Sequence, residues 1–391
     1  MAINKPFSLL IKPAGPDCNL QCRYCFYRSR LALFPETPVH RMATPVLEKL
    51  VCGYMATSQP VYAFAWQGGE PLLMGLEFFQ SATRLQRRYG RPGAVVQNSL
   101  QTNGMLITDE LAEHFARYRF LLGVSLDGPP SVHDLYRVNS AGDGSFSAVW
   151  RGIERLRRHN VDFNILTLVT QANVRRGPEV YRYLGDQGFL FQQYIPCLET
   201  DAYGKVLPFS IDGEAWGEFL CQVYDLWVRH DTRHVSVRLF DSILNLMVDQ
   251  RYPDCQMRPA CDTYFVVEHN GDVYPCDFFV ESQWRLGNIA DLSWRGLRAL
   301  PLYRQFSRLK SNRNEACAAC KWRRFCLGDC PKHRVSPGRD SRQISQLCQG
   351  WQMFYAHAYS GFQQLADQIR RERLPLASDQ AGRDIRAKTS A

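Results

Sequence analysis

Six short runs rich in apolar or β-branched residues alternate with helix-like segments through the first half of the chain, without a hairpin between them. The runs are Ser8–Lys12, Val61–Trp66, Val95–Gln101, Leu121–Leu126, Phe163–Val169 and Phe191–Ile195. Helical patterns lie between them at Pro45–Tyr54, Leu76–Tyr89, Asp109–Tyr118, Phe146–His159 and Pro178–Gly185, and Asp212–His230 follows the last run. Strands joined by helices pair in parallel, because each crossover returns the chain to the same end of the sheet. The pattern predicts an open doubly wound sheet or a full or partial barrel. In either case ligand-binding residues belong at the carboxyl ends of the strands.

The polar residues obey that rule. The first run leads into a loop with Cys18, Cys22 and Cys25. The second ends in Gln67-Gly68-Gly69-Glu70-Pro71, the third in Gln101-Thr102-Asn103-Gly104, the fourth in Ser125-Leu126-Asp127-Gly128-Pro129, and the sixth near Cys197-Leu198. Five such coincidences on one edge predict one site. Beyond about Arg238 helical periodicity weakens and cysteines become dense. Tyr264–Glu268 and Val273–Cys276 flank Asn270-Gly271, a strong hairpin signal. These changes divide the chain into residues 1–237, residues 238–370 and a polar tail, 371–391, expected to be disordered.

Fourteen cysteines sharpen the reading. Three lie within Cys18–Cys25 and eight between Cys255 and Cys348, whereas Cys52, Cys197 and Cys221 stand alone. No apolar run approaches the ~20 residues of a membrane span, and no signal peptide is visible, so the expected location is cytoplasmic. Clustered cysteines there point to metal rather than to disulfides. The spacing C-x3-C-x2-C places three thiolates on one tight loop, enough for three irons of a [4Fe–4S] cluster with one iron left open. A three-cysteine zinc site is the competing reading, although zinc ribbons present paired C-x2-C knuckles. Cys52 and Cys221 read as buried thiols in helices. The net charge of +9, from 47 Lys and Arg against 38 Asp and Glu, is spread along the chain. It forms no stripe with interleaved aromatics, so neither nucleic-acid nor membrane binding is expected.

CNLQCRYCFY after the first strand of a β/α repeat resembles the radical S-adenosylmethionine superfamily. The resemblance implies a partial (β/α)6 TIM-like barrel in which Cys18, Cys22 and Cys25 hold the cluster that cleaves S-adenosylmethionine. Tyr24, between the last two cysteines, would lie against whatever binds the open iron. Gly68, Gly69 and Glu70 resemble the motif that holds the methionyl amino group. Ser125 and Arg137 resemble contacts to the ribose and methionyl carboxylate, and Leu198 a backbone contact to the adenine.

The later cysteines match the SPASM extension: C-x9-G-x4-C, then C-x2-C-x5-C-x3-C, then C. That resemblance implies a second, cysteine-rich domain with two auxiliary clusters, three [4Fe–4S] clusters in all. Cys255, Cys261, Cys276 and Cys330 would ligate the first, and Cys317, Cys320, Cys326 and Cys348 the second. Spacing alone does not yield this interleaved partition, and two four-thiolate zinc sites would share the same donors.

Flanking blocks are similar to the anaerobic sulfatase-maturating enzymes, among them SLLIKPAGPDCNLQCRYCFY, FAWQGGEPLLMGLEFF, SLDGPPSVHDLYR and FVVEHNGDVYPCDFFV. The implied substrate is an unfolded sulfatase segment, Cys/Ser-x-Pro-x-Arg, whose Cys or Ser becomes Cα-formylglycine. The implied base is Asp277, directly after Cys276. It would take the thiol or hydroxyl proton once a 5′-deoxyadenosyl radical has removed a Cβ hydrogen, the last electron passing to an auxiliary cluster. Tyr27 and Gln67 resemble residues near the substrate peptide. Flavodoxin or ferredoxin is the kind of electron donor implied. The alternative is a SPASM enzyme that modifies a ribosomal precursor peptide.

Overall fold

The computed structural model describes residues 5–334, 340 and 342–388, with side chains described as far as Arg373. The strands are β1 (Ser8–Lys12), β2 (Tyr62–Trp66), β3 (Val96–Thr102), β4 (Leu121–Ser125), β5 (Phe163–Val169), β6 (Phe191–Pro196), β7 (Ser236–Val237), β8 (Tyr264–Glu268), β9 (Asp272–Tyr274) and β10 (Gly287–Asn288). They form one sheet in the order β10-β9-β8-β1-β2-β3-β4-β5-β6-β7. β1 to β7 pair in parallel throughout, as the helical crossovers require. The strip of β1 to β6 is the partial (β/α)6 barrel that the family resemblance implied.

Twelve α-helices are described: α1 (Thr44–Met55), α2 (Gly75–Tyr89), α3 (Asp109–Arg117), α4 (Pro130–Tyr136), α5 (Phe146–Arg158), α6 (Gly177–Asp186), α7 (Gly213–His230), α8 (Arg238–Asp249), α9 (Trp294–Ala299), α10 (Pro301–Leu309), α11 (Arg323–Cys326) and α12 (Cys348–Lys388). Their starts follow local chemistry. Thr108 caps α3 by accepting the Leu111 N–H at 3.2 Å, and Asp212 caps α7 by accepting the Ala215 N–H at 2.8 Å. Leu50, Phe79, Phe115, Ile153, Leu184 and Phe219, from α1, α2, α3, α5, α6 and α7, are fully buried in the main core with Leu9, Phe64, Leu122 and Ile165 of the strands.

One expectation about the second half changes, and another is extended. Helical order does not weaken at Arg238, where α8 begins and buries Phe240, Ile243 and Leu246 against the core. The expected hairpin forms, β8 pairing antiparallel with β9, but β8 also pairs in parallel with β1, from Ser8↔Tyr264 to Lys12↔Glu268. The cysteine-rich half therefore continues the sheet of the first half. Gly350 lets the start of α12 cross α7 closely: a Cβ there would lie 2.0 Å from the Gly213 carbonyl oxygen. Cys348 is thereby set against the body of the protein. The backbone of 371–388, expected to be disordered, instead continues α12; the side chains beyond Arg373, and residues 389–391 entirely, lie outside the described residues. Among the described residues no helix is long and apolar enough to cross a membrane.

Candidate active site

β1 ends at Lys12, and the loop that follows is tied down before it reaches the first cysteine. The Asp17 carboxylate accepts the His40 N–H at 2.8 Å and Arg41 Nη1 at 2.6 Å, and pairs with His40 Nδ1 at 2.7 Å. Burial pushes the Asp17 carboxyl up, but these partners more than offset it and hold it below its ordinary value. Gly69 N donates to Gly15 O at 2.8 Å and Glu70 N to Asp17 O at 2.7 Å. A Cβ on Gly69 would lie 1.9 Å from the Asp17 carbonyl oxygen. The glycines thus allow the end of β2 to press against the loop that presents Cys18. The Gly69 and Glu70 N–H groups are both spent on that loop.

Glu70 is fully buried. It accepts the Leu72 N–H at 2.9 Å, Thr102 Oγ1 at 2.8 Å and the Asn103 N–H at 2.8 Å, joining the ends of β2 and β3. Burial nevertheless pushes its carboxyl up to about 7. Asn103 Nδ2 reaches Asn19 Oδ1 at 2.7 Å and Cys18 Sγ at 3.7 Å, so the β3 end holds the cysteine loop directly.

A second group forms at the end of β4. Asp127 accepts Tyr24 Oη at 2.5 Å, Arg137 Nε at 2.9 Å, Arg137 Nη2 at 3.2 Å and the Leu168 N–H at 3.0 Å. Tyr24 and Cys22 pack with Cys197, just past β6. Ser125 and Leu198 are buried at the same edge, at the end of β4 and just past β6.

The third group spans the two halves of the chain. Lys12 forms a buried ion pair with Asp277, whose Oδ2 accepts Gln67 Nε2 at 3.2 Å. The Lys12 ammonium lies 3.5 Å from the centre of the Tyr27 ring, whose hydroxyl bonds to buried Glu268. Burial and the Glu268 carboxylate push the Tyr27 hydroxyl well above its ordinary value, so it stays a neutral donor. The structure therefore brings together Tyr27, Gln67 and Asp277, three positions named from separate motifs. Sequence patterns place Asp127 at the strand-4 end without giving it a role, and do not single out Lys12 and Glu268. Each is a charged residue ending or following an apolar strand, and that is the one signal they leave.

The thiols sort into three sets. Cys18 lies within electrostatic reach of Cys22 and Cys25. Cys255 and Cys276 both lie within electrostatic reach of Cys330, as does Cys261, which is also within reach of Cys255 and Cys276. Cys317 lies within reach of Cys320 and Cys348, and Cys348 within reach of Cys326. All fourteen cysteines are free; Cys52 in α1 and Cys221 in α7 are half-buried. Burial pushes Cys18 and Cys261 up to about 12 and Cys22 up to about 11. Thiols so placed ionise on meeting a strongly cationic centre. Among the described residues no three donors converge tightly enough for a single metal ion. A four-iron cluster separates its thiolates further than zinc does, since each binds a different iron. Three thiols in one set and four in each of the others are the donor numbers of iron–sulfur clusters.

Comparison with known proteins agrees with this arrangement. Residues 13–184 match the family model of the radical SAM superfamily, and residues 255–321 that of an iron–sulfur cluster-binding (SPASM) domain. Fold and donor sets define a radical S-adenosylmethionine enzyme with a cluster-binding extension, its cofactors being [4Fe–4S] clusters and S-adenosylmethionine. The chain is 37% identical over 369 residues to a cysteine-type anaerobic sulfatase-maturating enzyme of Clostridium perfringens, covering 93% of this chain and 100% of the relative. It is 34% identical over 371 residues to a serine-type enzyme of Bacteroides thetaiotaomicron, covering 90% and 89%. The solved structure of native anSMEcpe with bound AdoMet superposes with a TM-score of 0.87 at 37% identity, over 93% of this chain and 100% of that one. Streptococcus suis SuiB bound to precursor peptide SuiA shares the fold, with a TM-score of 0.64 at 17% identity over 88% of this chain and 76% of that one. The chain belongs to the anaerobic sulfatase-maturating enzymes.

Proposed function

We propose that this protein oxidises a cysteine or serine in an unfolded sulfatase segment, Cys/Ser-x-Pro-x-Arg, to Cα-formylglycine. The carrying observation is Asp277: it directly follows a thiol of the first auxiliary set and sits buried between Lys12 and Gln67. S-adenosylmethionine with the cluster on Cys18, Cys22 and Cys25 supplies the hydrogen-abstracting radical when bound, and the auxiliary clusters supply an electron acceptor. Glu70, Arg137, Tyr24, Ser125, Leu198 and the Gly68-Gly69 turn would form the S-adenosylmethionine pocket around them.

Asp277 takes the substrate's thiol or hydroxyl proton at its carboxylate. Lys12 gives that carboxylate a counter-charge and Gln67 orients it. Tyr27, held by Glu268, walls the same space and helps exclude water. Loss of one hydrogen atom, one proton and one electron converts serine to the aldehyde and cysteine to a thioaldehyde, which water hydrolyses to the same aldehyde. Residues 1–237 would house the radical chemistry and residues 238–370 the auxiliary clusters. A cytoplasmic setting suits a sulfatase segment met before it folds.

The test is anaerobic turnover of the reconstituted enzyme on paired peptides bearing Cys-x-Pro-x-Arg or Ser-x-Pro-x-Arg. A loss of about 18 Da from the first or about 2 Da from the second, with aldehyde reactivity, is expected from this stoichiometry. Deoxyadenosine formation with both peptides unchanged would overturn the substrate assignment.

A further inference from the structure

A cavity of about 1310 Å³ opens at the far end of the sheet from the residues described above. Lys5 and Phe7, which precede β1, and Thr57 to Gln59, which precede β2, line one side. The chemistry instead follows the carboxyl ends of those strands. α9 and α10 form the other wall. Six cationic side chains line the cavity, Lys5, Lys49, Arg295, Arg298, Arg304 and Arg308, against the carboxylates of Asp262 and Asp291. Lys49, Arg295, Arg304 and Arg308 are exposed. One carboxylate is already taken, since Asp262 pairs with Lys5 at 2.6 Å. The local excess of positive charge is therefore concentrated in a concave surface, where it acts at longest range.

Residues lining this cavity neighbour the first auxiliary thiol set. Asp262 directly follows Cys261, and the Cys261 N–H donates to the carbonyl of Ser307, another lining residue, at 3.4 Å. Tyr303 lines the cavity, stacks on Phe265 with ring centroids 4.6 Å apart, and lies within electrostatic reach of both Cys261 and Cys276. A partner seated here would approach that thiol set without obstructing a peptide at the opposite end of the strands.

We infer that this basic concavity docks a small acidic one-electron carrier protein of the ferredoxin class. The inference rests on the reading that Cys255, Cys261, Cys276 and Cys330 hold a cluster. Its chemistry balances: forming the aldehyde or thioaldehyde removes two electrons and two protons from the substrate. One electron and one proton leave together as the hydrogen atom that forms deoxyadenosine, and the other proton goes to Asp277. The remaining electron reduces one oxidised carrier. Short-lived electron-transfer contacts are small and steered by charge, as a cavity of this size and sign requires. A nucleic acid would also meet positive charge here, but it has no use for proximity to a thiol set.

The test uses the fully reconstituted holoenzyme, with iron content and the auxiliary-cluster EPR signals recorded first. Absent clusters would overturn the cluster reading itself and the docking inference with it. With clusters present, an oxidised acidic [4Fe–4S] ferredoxin is titrated at low ionic strength. It is then mixed in stopped flow with enzyme whose auxiliary clusters have been pre-reduced. Arg295→Glu/Arg304→Glu/Arg308→Glu should weaken binding and slow the second-order electron transfer by at least tenfold. Wild-type binding should weaken steeply once salt shortens the screening length to ~10 Å near 0.1 M. Arg84→Glu/Arg87→Glu/Arg88→Glu, an equal charge change on α2, should leave both measurements near wild type. Deoxyadenosine formation with a small chemical reductant should persist in all three proteins. Ferredoxin binding unaffected by the cavity variant, equally affected by the α2 variant, or replaced by RNA binding would overturn the inference while leaving the cluster reading intact.

Discussion

The Lys12 ammonium, at the carboxyl end of β1, forms a buried ion pair with the Asp277 carboxylate, just past β9. The pair exists because β8 adds to β1 in parallel with Lys12 opposite Glu268. The radical half of the chain thus supplies the counter-charge for the proposed base in the cluster-binding half. Removing one partner of such a pair costs about 3–5 kcal/mol, because the other stays buried and unpaired. Lys12→Met should lower aldehyde yield about 100-fold while deoxyadenosine still forms. Asp277→Asn should do the same. In a double-mutant cycle of chemical denaturation the two substitutions should be strongly non-additive. Additive losses would show that the pair does not act as a unit.

Gly69 is required for the close approach of β2 to the cysteine loop. Gly69→Ala places a methyl group inside contact distance of the Asp17 backbone, so the loop must shift. Iron should fall from about twelve to about eight per chain, the loss of one [4Fe–4S] cluster. S-adenosylmethionine cleavage should be lost with it. Full iron content and normal cleavage would mean that the loop tolerates the methyl group.

The interleaved thiol sets lead to a counting experiment. Cys326 and Cys330 are four residues apart but face different partners. Cys326→Ala/Cys330→Ala should therefore lose both auxiliary clusters, leaving about four irons. Cys255→Ala/Cys330→Ala should lose one, leaving about eight. Iron and acid-labile sulfide analysis separates these outcomes, and equal losses would reject the partition.

Glu70 couples stability to pH in the protein without clusters or S-adenosylmethionine. Its folded value, about 7, lies above the ordinary 4.5. A raised carboxyl favours the protonated fold, so its contribution is complete below about pH 4.5 and is lost as the pH rises through 7. The gap corresponds to roughly 3 kcal/mol. Unfolding free energy of the wild type should fall between pH 5 and 8 relative to Glu70→Gln. Parallel curves for the two proteins would remove Glu70 from the account.

Much of this site is readable along the chain. The β–α alternation alone places Gly68, Ser125 and Leu198 at one sheet edge, because crossover connections leave parallel strands ending on the same side. Hairpin chemistry at Asn270-Gly271 is equally local and equally reliable; Gly271 adopts the positive φ of 86° that this turn needs. α8 is harder to see because the dense cysteines that follow it suggest a loss of helical order, although Phe240, Ile243 and Leu246 keep a helical spacing. Lys12 and Glu268 stay hidden because a charged residue ending a strand ordinarily marks its exit to solvent.

By itself the sequence determined the parallel repeat, the loop with three cysteines and the eight later ones, since each is expressed in local spacing and residue type. Only the tertiary structure decided which thiols face one another, which carboxylate meets Lys12, and that the second half extends the sheet of the first. Those are contacts between residues far apart in the chain. They are set by sheet register and by the packing of α12 on α7, neither of which leaves a periodic mark in the residues it joins.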